Sequence, residues 1–436
     1  MASPAANALP RRSFAIIFAV SAATAMGNTG LISVLPAIGR STGIPDAMVS
    51  AIFSLSALLW AFSSPAWARA SDRHGRKPLM LVGLSGFMVS MALCGLVVSA
   101  GLRQLAPPMI IFLLFLLARA LFGLFGAASN PATQAYVAER TPLEGRTQAM
   151  ASLAGAFGLG TVIGPFLAPL FILPVVGLAG PLFSFALIAL AMLFIVWRYL
   201  PDQKVSPENQ RPRRPVVGGA AKATPMWRDP RITPFLIYGF IVATCQTAQA
   251  QTLGFLIIDK LGMSPAQAQY FIAIAMMFGA VAGLLAQWGL IRMFEMTPRQ
   301  LLRWGVAIAA LGNLIVALSG GYYGVVAGYA ISSLGFGFAR PGFTAGSSIA
   351  VDVDEQARVA GAIAAVNGIN VVLAPAFVFL YQHFGPAPFI LNAALMAGML
   401  VYAFRSTALK NADPKPASRE VTALATIEKS DEGGGP

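Results

Sequence analysis

The feature that most constrains this chain is a succession of long runs almost free of charge. They fall at 13–37, 48–69, 79–100, 109–137, 147–172, 178–198, 233–258, 266–292, 301–319, 322–350, 357–381 and 384–405. A helix needs roughly 20 mostly apolar residues to cross a bilayer, and backbone polar groups in hydrocarbon must be satisfied within the segment, so such runs predict spanning helices. The composition agrees, with 57% hydrophobic and 11% charged residues over 436 positions, a balance foreign to soluble domains of this size. A membrane barrel would instead show short segments of alternating polarity. The expected fold class is therefore an all-α polytopic membrane protein with twelve transmembrane helices in two six-helix bundles. The first run, after Arg11 and Arg12, is too long for a signal peptide and lacks a small-residue cleavage pattern, so it is read as the first helix.

The formal charge of +13 does not point to nucleic acid, because the cations sit in particular loops rather than on one soluble face. Nearly all the Lys and Arg outside the runs lie in the tails and in the loops joining helices 2 to 3, 4 to 5, 6 to 7 and 8 to 9. The alternate loops hold only Arg40, Arg103 and Lys260. By the positive-inside rule both termini are expected on the cytoplasmic side of a multi-pass protein in the lipid bilayer. Cys94 and Cys245 lie in different runs and support neither a disulfide nor a metal site.

Between runs 6 and 7, residues 199–232 are rich in Pro and Arg, as in Pro207-Glu208-Asn209-Gln210-Arg211-Pro212-Arg213-Arg214-Pro215. The expected organisation is a six-helix half at 1–198, a cytoplasmic linker at 199–232, a second half at 233–405 and a disordered cytoplasmic tail at 406–436. A faint repeat at an offset of 210 residues fits this division, since Asn130-Pro131 answers Arg340-Pro341. Duplicated halves with a site between them at mid-bilayer are a recurrent transporter plan.

Three motifs carry the mechanism. Between runs 2 and 3 lies Ala68-Arg69-Ala70-Ser71-Asp72-Arg73-His74-Gly75-Arg76-Lys77-Pro78. Gly75 suits a tight turn, and Asp72 suits contact with cations or a helix N-terminus. In run 4, Arg119 precedes Gly123, Gly126, Ala127 and Ala128. At mid-span a charge costs on the order of 2.5–3.5 kcal/mol on insertion scales, so Arg119 is expected to face the interior. Run 5 contains Gly160-Thr161-Val162-Ile163-Gly164-Pro165-Phe166-Leu167-Ala168-Pro169, where small residues permit close helix approach and Pro165 removes a backbone hydrogen bond.

The loop string resembles the signature Gly-x-Leu-x-Asp-Arg-x-Gly-Arg-Lys of the major facilitator superfamily, with Ala68 where the family has Gly. Arg119 with its small residues resembles the second superfamily motif. The run 5 string resembles the Gly-x-x-x-Gly-Pro-x-x-Gly signature of the twelve-helix drug:proton antiporters, with Ala168 replacing a glycine. The resemblance implies a conformational switch built from Asp72, Arg73, Gly75, Arg76, Gly160, Gly164 and Pro165.

Intramembrane polar residues suggest the lining of a cavity. Asn28, Arg119, Asn130, Gln246, Gln249, Arg340, Asn367 and Asn370 are the expected substrate-binding residues, with Gln134 nearby and Trp60, Phe122 and Tyr238 as apolar surface. Gln246 with Gln249, and Asn367 with Asn370, are three apart and share a helix face. No carboxylate or histidine lies near mid-span. Asp46 and Asp259 fall near the outer helix ends, Asp72 and Glu139 near the inner ends, and His74 and His383 in loops.

Together these features predict a secondary transporter in a bacterial inner membrane. It would export small amphipathic or drug-like molecules by alternating access, coupled to protons, with no cofactor. Arg119 and Arg340, without a mid-span carboxylate to neutralise them, also suit a carrier of organic anions such as metabolites or siderophores. A non-transporting receptor or scaffold is a third reading, disfavoured because no large soluble domain is appended. An enzyme is not expected, since the runs hold no nucleophile and base pair, phosphate loop or metal cluster.

Overall fold

The structure is a computed structural model, in which residues 10–202, 226–352 and 355–413 are described. Among the described residues, twelve helical passes run back and forth. They are α1 (Arg11–Thr42), α2 (Asp46–His74), α3 (Arg76–Leu102), α4 (Pro108–Arg140), α5 (Leu143–Leu167), α6 (Gly180–Tyr199), α7 (Thr233–Leu261), α8 (Pro265–Met293), α9 (Pro298–Leu318), α10 (Tyr322–Ile349), α11 (356–384) and α12 (Ala387–Arg405). Eleven are long and apolar enough to cross a membrane. The remaining pass, α10, spends apolar residues on glycines that meet the backbone of α9. A Cβ on Gly335 would lie 2.4 Å from Ala309 N, and one on Gly312 of α9 would lie 2.2 Å from Ser332 N.

Most passes begin and end where local chemistry requires. Thr297 and Gln300 form a capping box ahead of α9, with Pro298 at the first helical position. Gly43 and Gly262 close α1 and α7 in the left-handed region, at φ of 75° and 59°, where glycine carries no Cβ penalty. Three passes change hydrogen-bond register internally. A 3-10 turn at Gly126–Ala128 interrupts α4, another at Asn370–Leu373 interrupts α11, and a π-helical turn at Leu285–Leu290 lies in α8. The sequence runs gave no sign of these breaks. His74 and His383, expected in loops, occupy the last turns of α2 and α11.

Most of the expected linker, 203–225, and the tail from 414 onward lie outside the described residues. Residues 406–413, expected to open a disordered tail, instead form a turn of helix at Thr407–Lys410 and bury Leu409 and Ala412. Asp413 Oδ1 accepts a hydrogen bond of 3.0 Å from the backbone N–H of Arg299. The two apolar side chains at this spacing give the stretch a core to dock on.

Because the passes alternate, Pro10 and Asp413 lie on one face, the terminal face, and the turns at 43–45, 103–107, 262–264 and 385–386 lie on the opposite face. The apolar core differs between these faces. Toward the opposite face it is continuous across both halves, joining Leu31, Val34, Phe87 and Phe115 with Leu253, Ile257, Ile272 and Phe389. Toward the terminal face it separates into one cluster around Ile17, Met80, Tyr136 and Val196 and another around Phe235, Val306, Phe343 and Val359. Hydrogen bonds between the halves gather with the shared core. Ser50 donates to Gln251 Oε1, Ser54 to the Val371 carbonyl at 2.8 Å, and Gln269 to Ser33 Oγ at 3.4 Å.

The repeat seen in the sequence is present in the packing. From 131 to 140 and from 341 to 350 the alternation of buried and accessible positions is identical, residue for residue. Within the first half, α1 and α5 meet along the glycines of the run 5 string. A Cβ on Gly160 would lie 2.2 Å from the Ala22 carbonyl oxygen, and one on Gly164 2.2 Å from that of Met26. Helices in lipid gain little from hiding apolar surface, so this backbone approach supplies the packing that holds them. Gly164→Ala should therefore cost about 1–3 kcal/mol, read as a fall of several degrees in the detergent melting temperature. Gly398→Ala, where the added methyl meets nothing within 4 Å, should leave it level or higher.

Candidate functional site

The separate cores and the exposed polar side chains beside them imply a cleft between the halves on the terminal side, with one polar patch from each half. The first-half patch is a pocket of about 420 Å³ lined by Ser21, Thr24, Trp60, Asn130, Gln134 and Phe157 among others. Gln134 Nε2 donates to Asn130 Oδ1 at 3.2 Å, and both side chains remain exposed. Trp60 packs on Phe122, ring centroids 5.1 Å apart. The second-half patch is centred on Arg340, which is solvent-exposed and donates to Gln246 Oε1 at 3.4 Å and to Asn367 Oδ1 at 3.2 Å. Asn130 and Arg340 occupy equivalent repeat positions, each just before a proline. The two halves thus present a neutral amide and a guanidinium from matching places.

Other expected lining residues lie elsewhere. Gln249 is buried and donates to Ser332 Oγ on α10, so it ties α7 to α10 while Gln246, three residues earlier, reaches Arg340. A shared helix face spans a wide enough arc to include both a buried seam and a cleft edge. Asn370 is also buried. Its Oδ1 accepts from Thr247 at 2.8 Å, and its Nδ2 donates to the carbonyls of Val366 and Asn367 where the 3-10 turn interrupts α11. Tyr238 is fully buried, its hydroxyl donating to the Leu302 carbonyl at 2.6 Å.

Arg119 does face the interior, at 1% exposure, but it lies deep in the first half rather than in the open cleft. Asn28 Oδ1 accepts from its Nη2 at 3.0 Å. The guanidinium carbon sits 4.5 Å from the Phe122 ring centre and 5.1 Å from that of Phe53, a cation–π sandwich that partly replaces lost hydration. Nε and Nη1 have no hydrogen-bond partner among the described residues. Burying polar groups without partners costs stability. Arg119→Met, similar in volume and apolar, should therefore stabilise the fold by about 1 kcal/mol or more, read as a higher melting temperature, while abolishing flux. A loss of both stability and flux would make the arginine a packing element.

At the terminal face the loop motif organises around Arg76. Gly75, at φ of 94°, lets the chain reverse between α2 and α3. Arg76 then bonds Asp72 at 2.6 Å, Ser71 Oγ at 3.0 Å and Glu139 of α4 at 2.5 Å. Arg73 is exposed. The cluster lies entirely in the first half and fixes α2, α3 and α4 to one another. A matching clamp in the second half escaped the sequence reading. Arg231 bonds Asp229 at 2.8 Å and Glu355 at 3.0 Å, and its guanidinium holds the Asp229 carboxyl below the usual carboxylate range. Its charges are scattered over 126 residues, so no local string reveals it. Since Arg76 joins two carboxylates and Asp72 is more exposed, Arg76→Gln should impair transport more than Asp72→Asn. Flux measured at equal membrane expression checks the order.

The family profile described as Major Facilitator Superfamily matches residues 17–375. The chain belongs to this superfamily. The superfamily consists of transporters rather than enzymes, and this member is a multi-pass membrane protein. Among curated proteins it is 25% identical over 420 residues to "Tetracycline resistance protein, class H" of Pasteurella multocida, covering 90% of this chain and 96% of that protein. It is 25% identical over 320 residues to "Multidrug resistance protein 1" of Bacillus subtilis (strain 168), covering 72% and 75%. Among solved structures, a bacterial homologue of the human lysosomal transporter Spinster, in an inward-facing and unoccupied conformation, superposes with a TM-score of 0.70 at 16% identity. That match covers 93% of this chain and 99% of the other, and it extends the likeness of fold to both halves.

Proposed function

We propose that this protein exports small amphipathic, drug-like molecules across a bacterial inner membrane by alternating access, driven by proton entry. The observation that carries the reading is the asymmetry of the core. It is shared by the halves near one face and divided by a cleft with polar and aromatic patches near the other. A rocking of one half against the other about such a site is the expected motion of duplicated transporters. The efflux reading draws on the resistance proteins that resemble this chain along most of their length. Orientation draws on the cations, since the loops with Arg69, Arg73, Arg76, Lys77, Arg140 and Arg146 lie on the terminal face and would be cytoplasmic. The cleft then opens toward the cytoplasm, where an exporter loads.

The second-half patch favours a narrower substrate class. Arg340 is bonded by neutral amides alone among the described residues, so its charge is not cancelled at the cleft wall. Trp60 and Phe157 supply apolar surface opposite the polar groups of the first-half pocket. This combination suits neutral or anionic amphipathic molecules over lipophilic cations, and it is the observation that favours an organic-anion carrier as a second reading.

Everted vesicles test both. Imposing an inside-acid pH gradient should drive uptake of tetracycline or a matched amphipathic acid, and a protonophore should abolish it. Arg340→Ala should reduce uptake of the acid by about tenfold and of a neutral analogue much less. Uptake indifferent to the gradient would overturn proton-driven export. A preference for a lipophilic cation, unchanged in Arg340→Ala, would overturn the substrate class.

A further inference from the structure

Four side chains at the opposite face belong neither to the motifs nor to the cleft, and they join the two halves. Arg40, in the last turn of α1, donates from Nε to Asp46 Oδ1 at 2.8 Å and from Nη2 to Asp46 Oδ2 at 2.6 Å. The same guanidinium crosses to the second half, where Nη1 lies 3.2 Å from Asp259 Oδ1 and Nη2 lies 3.2 Å from Asp259 Oδ2. Asp259, at the end of α7, accepts a hydrogen bond of 2.6 Å from the hydroxyl of Tyr381 on α11. A surface cavity of about 560 Å³, lined by these four residues with Ile44 and Gln382, leads to the cluster.

The cluster is built in two preassembled parts. In the first half, the fork of Arg40 is held bidentately by Asp46, whose side chain is only 4% exposed. In the second half, Tyr381 holds Asp259. The Arg40–Asp259 contact is the ion pair that links the parts among the described residues, with the Arg40 guanidinium also 5.8 Å from the Phe255 ring centre of α7, and with side-chain exposures of 33% and 42% it is the more hydrated of the two pairs. Opening this face would break this exposed ion pair together with the hydrogen bonds beneath it, and leave both parts oriented for reclosure. Directly beneath lie the Ser50–Gln251 and Ser54–Val371 bonds and then the shared apolar core.

We infer that Arg40, Asp46, Asp259 and Tyr381 form the latch that closes the face opposite the termini during the transport cycle. The inference rests on the alternating-access reading above. The charges give it a distinctive logic. One cation serves two carboxylates, one from each half, so Arg40 is both the bond across the interface and the screen between Asp46 and Asp259. Removing Asp259 leaves a complete Arg40–Asp46 pair and loses one link. Removing Arg40 loses the link and sets two carboxylates facing each other, so the halves are pushed apart. The latch residues act as positioning residues, setting which face is open, and they do not contact substrate in the closed arrangement.

The test uses full-length protein in nanodiscs, with Cys94 and Cys245 replaced by alanine and Ser50→Cys as a reporter. Ser50 is 2% exposed beneath the latch, so the labelling rate with a bulky maleimide reads how often this face opens. Asp259→Asn should raise the rate roughly two- to fivefold, and Tyr381→Phe less. Arg40→Gln should raise it more, on the order of tenfold. The decisive result is the double variant. Adding Asp259→Asn to Arg40→Gln removes the repulsion, so labelling should fall below that of Arg40→Gln alone. Rates unchanged in Arg40→Gln and Asp259→Asn, or a double variant that labels faster than either, would overturn the latch. If Arg40→Gln fails to fold, a labelling rate in Asp259→Asn equal to the parent overturns it as well. Because labelling needs no substrate, a failure of the export reading would appear as absent flux with the same labelling order.

Discussion

In hydrocarbon, apolar surface gains little by meeting apolar surface, and this constraint underlies the rest of the structure. Helices must instead associate through close backbone approach and through polar groups that find partners. Both devices appear where the bundle is tight. Gly160 and Gly164 bring α5 onto the backbone of α1, and Gly305, Gly312, Gly328 and Gly335 bring α9 onto α10. Ser50, Ser54 and Gln269 supply hydrogen bonds between the halves. The tight seams hold each half as a unit, while the fewer polar contacts between halves gather near one face. A bundle assembled this way has rigid parts and a yielding joint.

The placement of charge follows the same constraint. A buried charge in a bilayer must be paired, shielded or exposed to a water-filled cleft. The structure uses all three solutions. Arg40 and Arg76 are paired with carboxylates at opposite faces, Arg119 is shielded between Phe53 and Phe122 with one bond to Asn28, and Arg340 is exposed to the cleft between two amides. The sequence treats Arg119 and Arg340 alike, as mid-span cations without a mid-span carboxylate. Their surroundings separate them. Only Arg340 presents its charge to a molecule in the cleft, whereas Arg119 stores an unfavourable burial within the first half.

The helical passes were legible because hydropathy reports a property of each segment alone. So was the turn at Gly75, since the chain needs a positive φ there, and so was a close helix approach at Gly160 and Gly164, though not that α1 is the partner. The 3-10 turns at Gly126–Ala128 and Asn370–Leu373 were not legible, because each depends on what packs beside it. Asn370 supports its turn through Thr247 of α7, 123 residues away. The same limit applied to the polar pairs. Gln246 and Gln249 are equivalent by spacing, yet one meets the exposed Arg340 and the other the buried Ser332, two positions of α10 whose surroundings differ.

The sequence by itself determined that this chain spans a membrane many times, that its cations favour one face, and that it carries the motifs of a transporter superfamily. These follow from composition and local spacing, which act through solvent transfer and backbone geometry within single segments. Tertiary structure decided which polar residues share a site and which face is closed. It drew Arg40 and Asp46 to Asp259, 219 and 213 residues along the chain, and it left Asn130 and Arg340 on a cleft that the shared core does not reach. Such contacts arise only when helices from both halves pack, and their energy depends on distances and burial that no single segment contains.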